Sequence, residues 1–425
     1  MRVLIVGGGW AGLSAAVHAS RQGWQVTLKE ASRQLGGRAR ALDHQGLRLD
    51  NGQHILIGAY AETLELMRTV GLDPQALLHR ETLTLRRPDS SGLQLPSLPA
   101  PWNLLVGVLR ARGWTWRDRL SLLRLASNWQ RNHFQCEASL SVSDLCQGVT
   151  PHVMHQLIEP LCVSALNTPP AQASAAVFLR VLRDALWSGP GGSDLLLPRV
   201  DLSALLPDAA QRWLEARGVD VQCGQRWAPG DEQSLNPADV DAIILACPAW
   251  DAARLTSQRY PRWSATARDL PHTAIATVYV RAARTRTADW PCPMMALPSD
   301  DQHPAQFVFN RGPWMVEAGS EVLACVVSAS EGTRTDIESR VIAQLRMQLS
   351  QHISGITPLL TVVEKRATFA CTPGLLRPPG RAAAAHGGLW VAGDYVEGPY
   401  PSTLEGAVRS GVAAAQQLRD TLRDS

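Results

Sequence analysis

The residues Gly7-Gly8-Gly9-Trp10-Ala11-Gly12 constrain the fold more than any other stretch of this 425-residue chain. They follow a short β-branched run, Arg2 to Val6, and lead into a helix-like stretch from Leu13 to Gln22. A G-x-G-x-x-G pattern thus stands where a strand turns into a helix. Gly7 permits the tight turn, Gly9 lets the backbone approach a diphosphate, and Gly12 lets helix and strand pack closely. The free N–H groups at the helix start then face phosphate oxygens. A second strand, Gln25 to Lys29, ends at Glu30, 18 residues after Gly12. That carboxylate suits both hydroxyls of a ribose and repels a 2′-phosphate. The spacing predicts an α/β fold with a Rossmann-type dinucleotide-binding domain. A cleaved leader would discard the motif, so the apolar N-terminus is read as the first strand.

Two further stretches bear on which dinucleotide is bound. Gly36-Gly37-Arg38 follows Glu30 closely, and near the other end a strand, Leu389 to Ala392, stops at Gly393-Asp394. Ser402-Thr403-Leu404-Glu405-Gly406-Ala407 then opens an Ala-rich helix. With these motifs the sequence resembles the FAD-dependent family of amine oxidases and phytoene desaturases. The resemblance implies FAD as cofactor, with Gly37 beside the diphosphate and Arg38 supplying positive charge near phosphates and flavin. It implies Asp394 at the ribityl and diphosphate region, and a helix starting near Leu404 whose dipole stabilises negative charge on reduced flavin. It also carries Leu49 to Leu56 across the isoalloxazine, with Gly52 allowing close approach and Gln53 or His54 meeting the reactive side. His54 reads equally as an internally satisfied side chain. Val221, in a strand from Val219 to Cys223, falls at the adenine side by the same resemblance.

Composition narrows what the rest can be. With 45% apolar and 19% charged residues the chain buries a large core and divides into two or three folding units. The 41 basic and 38 acidic residues leave +3, too little for a nucleic-acid partner. Eight cysteines include no C-x-x-C pair and no histidines at zinc-ligand spacing, so free thiols in a reducing cytoplasm and no metal site are expected. No apolar run approaches the roughly 18 residues of a membrane span. Tryptophan, however, is in excess, 14 against 5 Phe and 5 Tyr. Four of them (102, 114, 116, 129) fall between Trp102 and Gln130 beside five arginines and one aspartate, a local charge of +4. Gly113 breaks this segment, Thr115 resembles an N-cap with Asp118 at N3, and apolar residues recur at helical spacing. Two short basic amphipathic helices suit a membrane surface, which puts the protein peripherally on the inner face of the cell membrane. The other reading packs both helices on the protein's own core.

Leu161 to Pro170 and Ala175 to Leu186, with Asp50 to Ile57 and the Trp/Arg segment, make the chain similar to the hydroxysqualene dehydroxylases of bacterial hopanoid pathways. The likeness runs through essentially the whole length. It implies an uncharged C30 isoprenoid substrate, an unidentified electron donor, and hydride delivery to an allylic cation left when the hydroxyl departs as water. That chemistry needs a general acid, for which Glu159 and His54 are the candidates. An oxidative polyene desaturase and a lipid carrier with structural FAD remain alternatives. An amine oxidase fits less well, because Ala274 to Ser328 contains no lysine. The expected architecture has an FAD-binding domain from 1–85, 201–255 and 365–425. An inserted α+β substrate domain from 86–200 and 256–364 combines a mixed sheet with helices, and 102–130 faces the membrane. Its strands are Ala274 to Val280, Gln306 to Asn310 and Val322 to Ser328, with a helix from Asp336 to Leu349.

Overall fold

The computed structural model of the chain describes residues 1–187, 189–228, 230, 240–285, 290, 292–312, 321–382 and 389–423. It begins with β1 (Arg2–Val6), α1 (Trp10–Arg21) and β2 (Gln25–Glu30). The helix starts at Trp10 rather than Leu13, because Gly9 is its N-cap and the glycine motif supplies the first turn. Short strands follow: β3 (Ala41–His44), β4 (Leu47–Asp50), β5 (Leu56–Ile57), β6 (Leu78–Glu81), β7 (Thr84–Arg86) and β8 (Gly92–Gln94). The main helices of the first insertion are α2 (Trp102–Leu109), α3 (Trp116–Arg131) and α4 (Ala175–Trp187). Thr115 caps α3 as expected: its hydroxyl accepts from the Asp118 N–H at 3.2 Å, and Asp118 accepts from the Thr115 N–H at 2.8 Å. The chain continues through β9 (Leu195–Pro198), α5 (Pro207–Glu215), β10 (Asp220–Cys223) and β11 (Ala242–Leu245). Next come β12 (His272–Arg284), β13 (Met294–Ala296), β14 (Phe307–Asn310), β15 (Glu321–Ser328), α6 (Arg334–Gln348) and β16 (Ile353–Phe369). The last elements are β17 (Leu389–Val391) and α7 (Leu404–Arg423).

Two five-stranded sheets result, of opposite character. One is parallel throughout, in the order β10-β2-β1-β11-β17. Its central strands are nearly continuous runs of Val, Ile and Leu because both faces are buried: Val3 and Ile5 pack with α1 and α5, and Leu4 and Val6 enter a second core on the other side. Leu4 and Ile5 of β1 are 2% and 0% exposed, and each such side chain contributes ~1.5–3 kcal/mol on burial. The Ser14 hydroxyl of α1 donates to the Val408 carbonyl at 2.9 Å, tying α7 to α1. The other sheet is antiparallel, in the order β13-β14-β15-β12-β16. With one face on α6 and the other on the nucleotide half, its strands alternate in what they contact.

Pairing shifts the expected seams. The division at 364 falls inside β16, whose 17 residues stay with the antiparallel sheet. The one at 200 separates β9 from β5 and β6, to which it is hydrogen-bonded. The one at 85 cuts β7. Ladder hydrogen bonds are long-range, and composition along the chain carries no trace of them. Among the described residues no helix is long and apolar enough to cross a membrane.

Candidate active site

A cavity of about 760 Å³ lies at the carboxyl ends of β1, β2, β11 and β17, where open α/β sheets bind ligands. Gly7, Gly9, Glu30, Gly37 and Arg38 line it from the N-terminal half, and Gly393, Asp394 and Leu404 from the C-terminal end. Gly52, Gln53 and His54 line it between them. Gly12 does not: a Cβ there would sit 1.9 Å from the Gly7 carbonyl oxygen, so its bare backbone sets how closely α1 approaches β1. A Cβ on Gly37 would come within 3.2 Å of Gly9 Cα, which keeps a backbone-walled cradle open beside the start of α1. Two helix N-termini, those of α1 and α7, reach this cavity through Trp10 and Leu404. A diphosphate and an electron-rich flavin fit these donors.

Charged residues at the cradle are already committed to one another. Glu30 accepts from the Gly8 N–H at 2.7 Å and from the Ser32 N–H at 2.7 Å, so it shapes the glycine loop as well as lining the cavity. Arg38 and Asp394, 356 residues apart, form an ion pair at 2.5 Å. Burial pushes the Asp394 carboxyl up, but Arg38, the Ser402 hydroxyl and Arg377 outweigh it and hold the group below its ordinary value. Arg38 also donates to the Ala367 carbonyl of β16 at 2.6 Å. Arg38 thus lines the cavity with two of its guanidinium nitrogens engaged, one by Ala367 and one by Asp394. The pair is neutral overall, and the start of α1 adds backbone N–H groups that fit a diphosphate.

Three expectations are redirected. Val221 lies within β10, paired with Leu28, and does not line the cavity. The residues just beyond the strand do so instead: Gln225, whose N–H donates to the Glu30 carbonyl at 2.9 Å, Arg226 and Trp227. The carboxyl end of a parallel strand, not its middle, borders the ligand crevice. Glu159 is 44% exposed in its side chain, pairs with His155 at 3.0 Å, and is missing from the cavity lining. His54 lines the cavity, with Nδ1 3.0 Å from the Gly52 carbonyl. A carbonyl only accepts, so Nδ1 carries the proton. Burial pushes the imidazole below its ordinary value, opposed by that hydrogen bond and reinforced by Arg38, which makes His54 neutral at pH 7. It fixes the loop, and its one proton is already donated.

From the cradle the cavity runs into an apolar limb. Leu104 of α2, Leu122, Ala126 and Trp129 of α3, and Phe178 and Leu182 of α4 wall it, with the Trp129 and Phe178 rings edge to face at 6.5 Å. The antiparallel sheet is its floor. Phe307 with Phe309, Ile275 with Thr277, and Val362 with Glu364 are two residues apart on their strands and all line the cavity. The period-2 alternation of these strands was the signal for a floor, which the sequence reading did not use. Thr277 meets the loop above it, its hydroxyl accepting from the Gln53 N–H at 3.3 Å.

The tryptophans of the Trp/Arg segment divide between two surfaces. Trp114 and Trp129 are buried, whereas Trp102 and Trp116 are 59% and 71% exposed. Among the described residues, five of the seven exposed large apolar side chains fall between Leu98 and Leu120. Arg110, Arg112, Arg117 and Arg124 are exposed around them.

Residues 10–419 match the family model described as flavin containing amine oxidoreductase. The chain is 28% identical to a hydroxysqualene dehydroxylase of Zymomonas mobilis over 97% of each chain, and equally so to one of Rhodopseudomonas palustris. It is 24% identical to a 15-cis-phytoene desaturase of Synechococcus elongatus, covering 98% of this chain and 96% of that one. Among solved structures, an oxidoreductase from Methanosarcina mazei superposes with a TM-score of 0.72 at 16% identity, covering 98% of this chain and all of that one. A putrescine oxidase with bound putrescine gives 0.64 at 16% identity over 99% of each.

Proposed function

The chain belongs to the flavin containing amine oxidoreductase family and is an FAD-dependent oxidoreductase, and from that membership we propose that it reductively removes the hydroxyl of hydroxysqualene to give squalene. The observation that carries this reading is the single cavity, which joins the dinucleotide cradle to a limb walled by hydrocarbon side chains. When bound, reduced FAD supplies a hydride to the substrate carbon that loses oxygen. The chain's own residues hold and shield that event. The Arg38–Asp394 pair clamps the N-terminal and C-terminal motifs together. The Thr277 contact fixes the Gly52–His54 loop over the floor. The apolar limb excludes water, so the carbon skeleton lies in one register and the cation formed on ionisation meets no competing nucleophile.

Anaerobic incubation of the reduced holoenzyme with hydroxysqualene tests the reading. The flavin reoxidises with one squalene formed per flavin. The Synechococcus relative supports the opposite redox direction on the same scaffold; consumption of a polyene with oxygen or quinone as acceptor, and none of hydroxysqualene, would establish that instead.

The outer face of α2 and α3 is proposed to rest on an anionic bilayer, which delivers the water-insoluble substrate. A large apolar side chain leaving water contributes ~1.5–3 kcal/mol. Replacing Trp102 and Trp116 together by alanine is therefore expected to weaken binding to anionic vesicles by at least about tenfold. Turnover of detergent-dispersed substrate stays unchanged. Vesicle flotation decides: equal flotation of both proteins, or none by the wild type, sinks the proposal.

A further inference from the structure

We propose that Glu364 is the acid that protonates the departing hydroxyl, an assignment that rests on the dehydroxylation reading above. Glu364 lines the cavity on the sheet floor, paired across the ladder with Ile275 of β12. The next pair on the same face is Val362 with Thr277, and Thr277 holds the Gln53 N–H. Residues two apart on a strand face are separated by about 7 Å. The carboxyl therefore stands one pleat from the Gly52–His54 loop.

A local irregularity in β16 aims it there. Between Thr273 and Ile275 of β12 the partners on β16 jump from Thr368 to Glu364, so four steps of one strand span two of the other. Bulges of this kind bend a strand, re-aim its side chains, and are frequent beside active sites. This one brings the Ala367 carbonyl to Arg38 at 2.6 Å, fastening the strand to the nucleotide half just beyond Glu364.

The other carboxylates of the cavity are held by stronger partners. Glu30 is taken by the Gly8 and Ser32 N–H groups, Asp394 by Arg38, and Glu405 by Arg409 at 2.7 Å and the Thr63 hydroxyl. Asp184 is held by Arg180 at 2.9 Å and the Tyr400 hydroxyl at 2.8 Å. Asp251 lies between Arg226 and Arg254. Glu364 accepts one hydrogen bond, from the Arg366 backbone N–H at 3.3 Å, and has no ion pair among the described residues. Among the described residues it is the cavity carboxyl with neither an ion pair nor a side-chain hydrogen bond. An uncharged C30 chain lying on this floor brings its hydroxyl down onto the carboxyl and keeps water from the pair. The proton passes from Glu364 to the hydroxyl oxygen, and the C–O bond breaks with its electron pair leaving as water. The carbon then takes a hydride from the reduced cofactor, so the carbon is reduced, the flavin oxidised, and Glu364 left as carboxylate.

The test compares wild-type holoenzyme with Glu364→Gln on two substrates, hydroxysqualene and its allylic acetate, whose leaving group departs without needing a proton. On the alcohol the variant's kcat falls by about 100-fold or more, with KM and flavin content unchanged. On the acetate it stays within about threefold of wild type. Adding hydroxysqualene to the oxidised wild-type protein brings up the infrared C=O stretch of a protonated carboxyl, which Glu364→Gln lacks. Wild-type turnover of the alcohol by the variant, or an equal loss on both substrates, overturns the assignment of Glu364 alone. A wild-type enzyme that converts neither substrate overturns the dehydroxylation reading, and the acid with it.

Discussion

Replacing Gly12 by alanine is expected to give a protein that purifies without its yellow cofactor. The added Cβ would lie 1.9 Å from the Gly7 carbonyl oxygen and 3.1 Å from Ala246 Cβ, both parts of the rigid centre of the parallel sheet. Neither can yield, so α1 must move away from β1. The helix N–H groups then leave the position of the diphosphate. A hydrogen bond to a charged group contributes ~1.5–3 kcal/mol, and losing two lowers FAD affinity by about 100-fold or more. The ratio of flavin absorbance to protein absorbance after dialysis reads the effect. A variant retaining one flavin per chain would show that the close contact of α1 with β1 does not set the cofactor site.

The second large effect concerns Arg311, 2% exposed at the end of β14. Its guanidinium donates to the Pro198 carbonyl at 2.6 Å and stands 3.7 Å from Asp50, itself buried at the end of β4. This cluster bolts the substrate sheet to the strands beside the cavity, and the Tyr279 hydroxyl donates to the Asp50 carbonyl at 3.1 Å. Burial pushes the Asp50 carboxyl up to about 6, against the pull of Arg311 and the Leu202 N–H. Because the folded value exceeds the unfolded one, the folded state binds a proton that the unfolded chain releases. The contribution of Asp50 to stability therefore falls as pH rises from about 4 to about 6 and levels off above. Arg311→Met leaves a buried carboxyl without its cation, which costs about 3–5 kcal/mol at pH 7. The loss is smaller at pH 5, where Asp50 takes up a proton instead. Chemical denaturation at the two pH values measures this, and an equal loss at both would contradict the pairing. Asp50→Asn removes the slope between pH 4 and 6.

What the sequence revealed depended on how local each signal is. The strand, turn and helix around Gly7 to Gly12 are one continuous stretch, and the carboxylate at Glu30 follows at a fixed spacing. Asp394 was found by resemblance, since nothing near either residue shows that it meets Arg38 across 356 positions. Glu159 was misread for a physical reason. Its neighbours in sequence are apolar, but they do not cover it: the side chain is 44% exposed and pairs with His155 one helical turn back. Val221 was misread because strand character identifies a strand and not the end that opens on the ligand. The alternation that places Val362 and Glu364 on one face was legible, but the bulge after them was not, because it exists only relative to β12. Arg311 had no signal at all, being one arginine among many until its partners surround it.

The order of strands in the parallel sheet, β10-β2-β1-β11-β17, also has a consequence in time. Synthesis at about 5–20 residues per second separates β1 from β17 by roughly 20–80 s. Once β11 has been made, the nascent chain carries it as a bare edge until β17 follows, and throughout the interval the cradle lacks both Asp394 and the start of α7. The cradle is complete only once Asp394 and the start of α7 have been made. Colour in this protein thus reports the arrival of β17 and the start of α7, and quality control that retains colourless chains would be selecting for them.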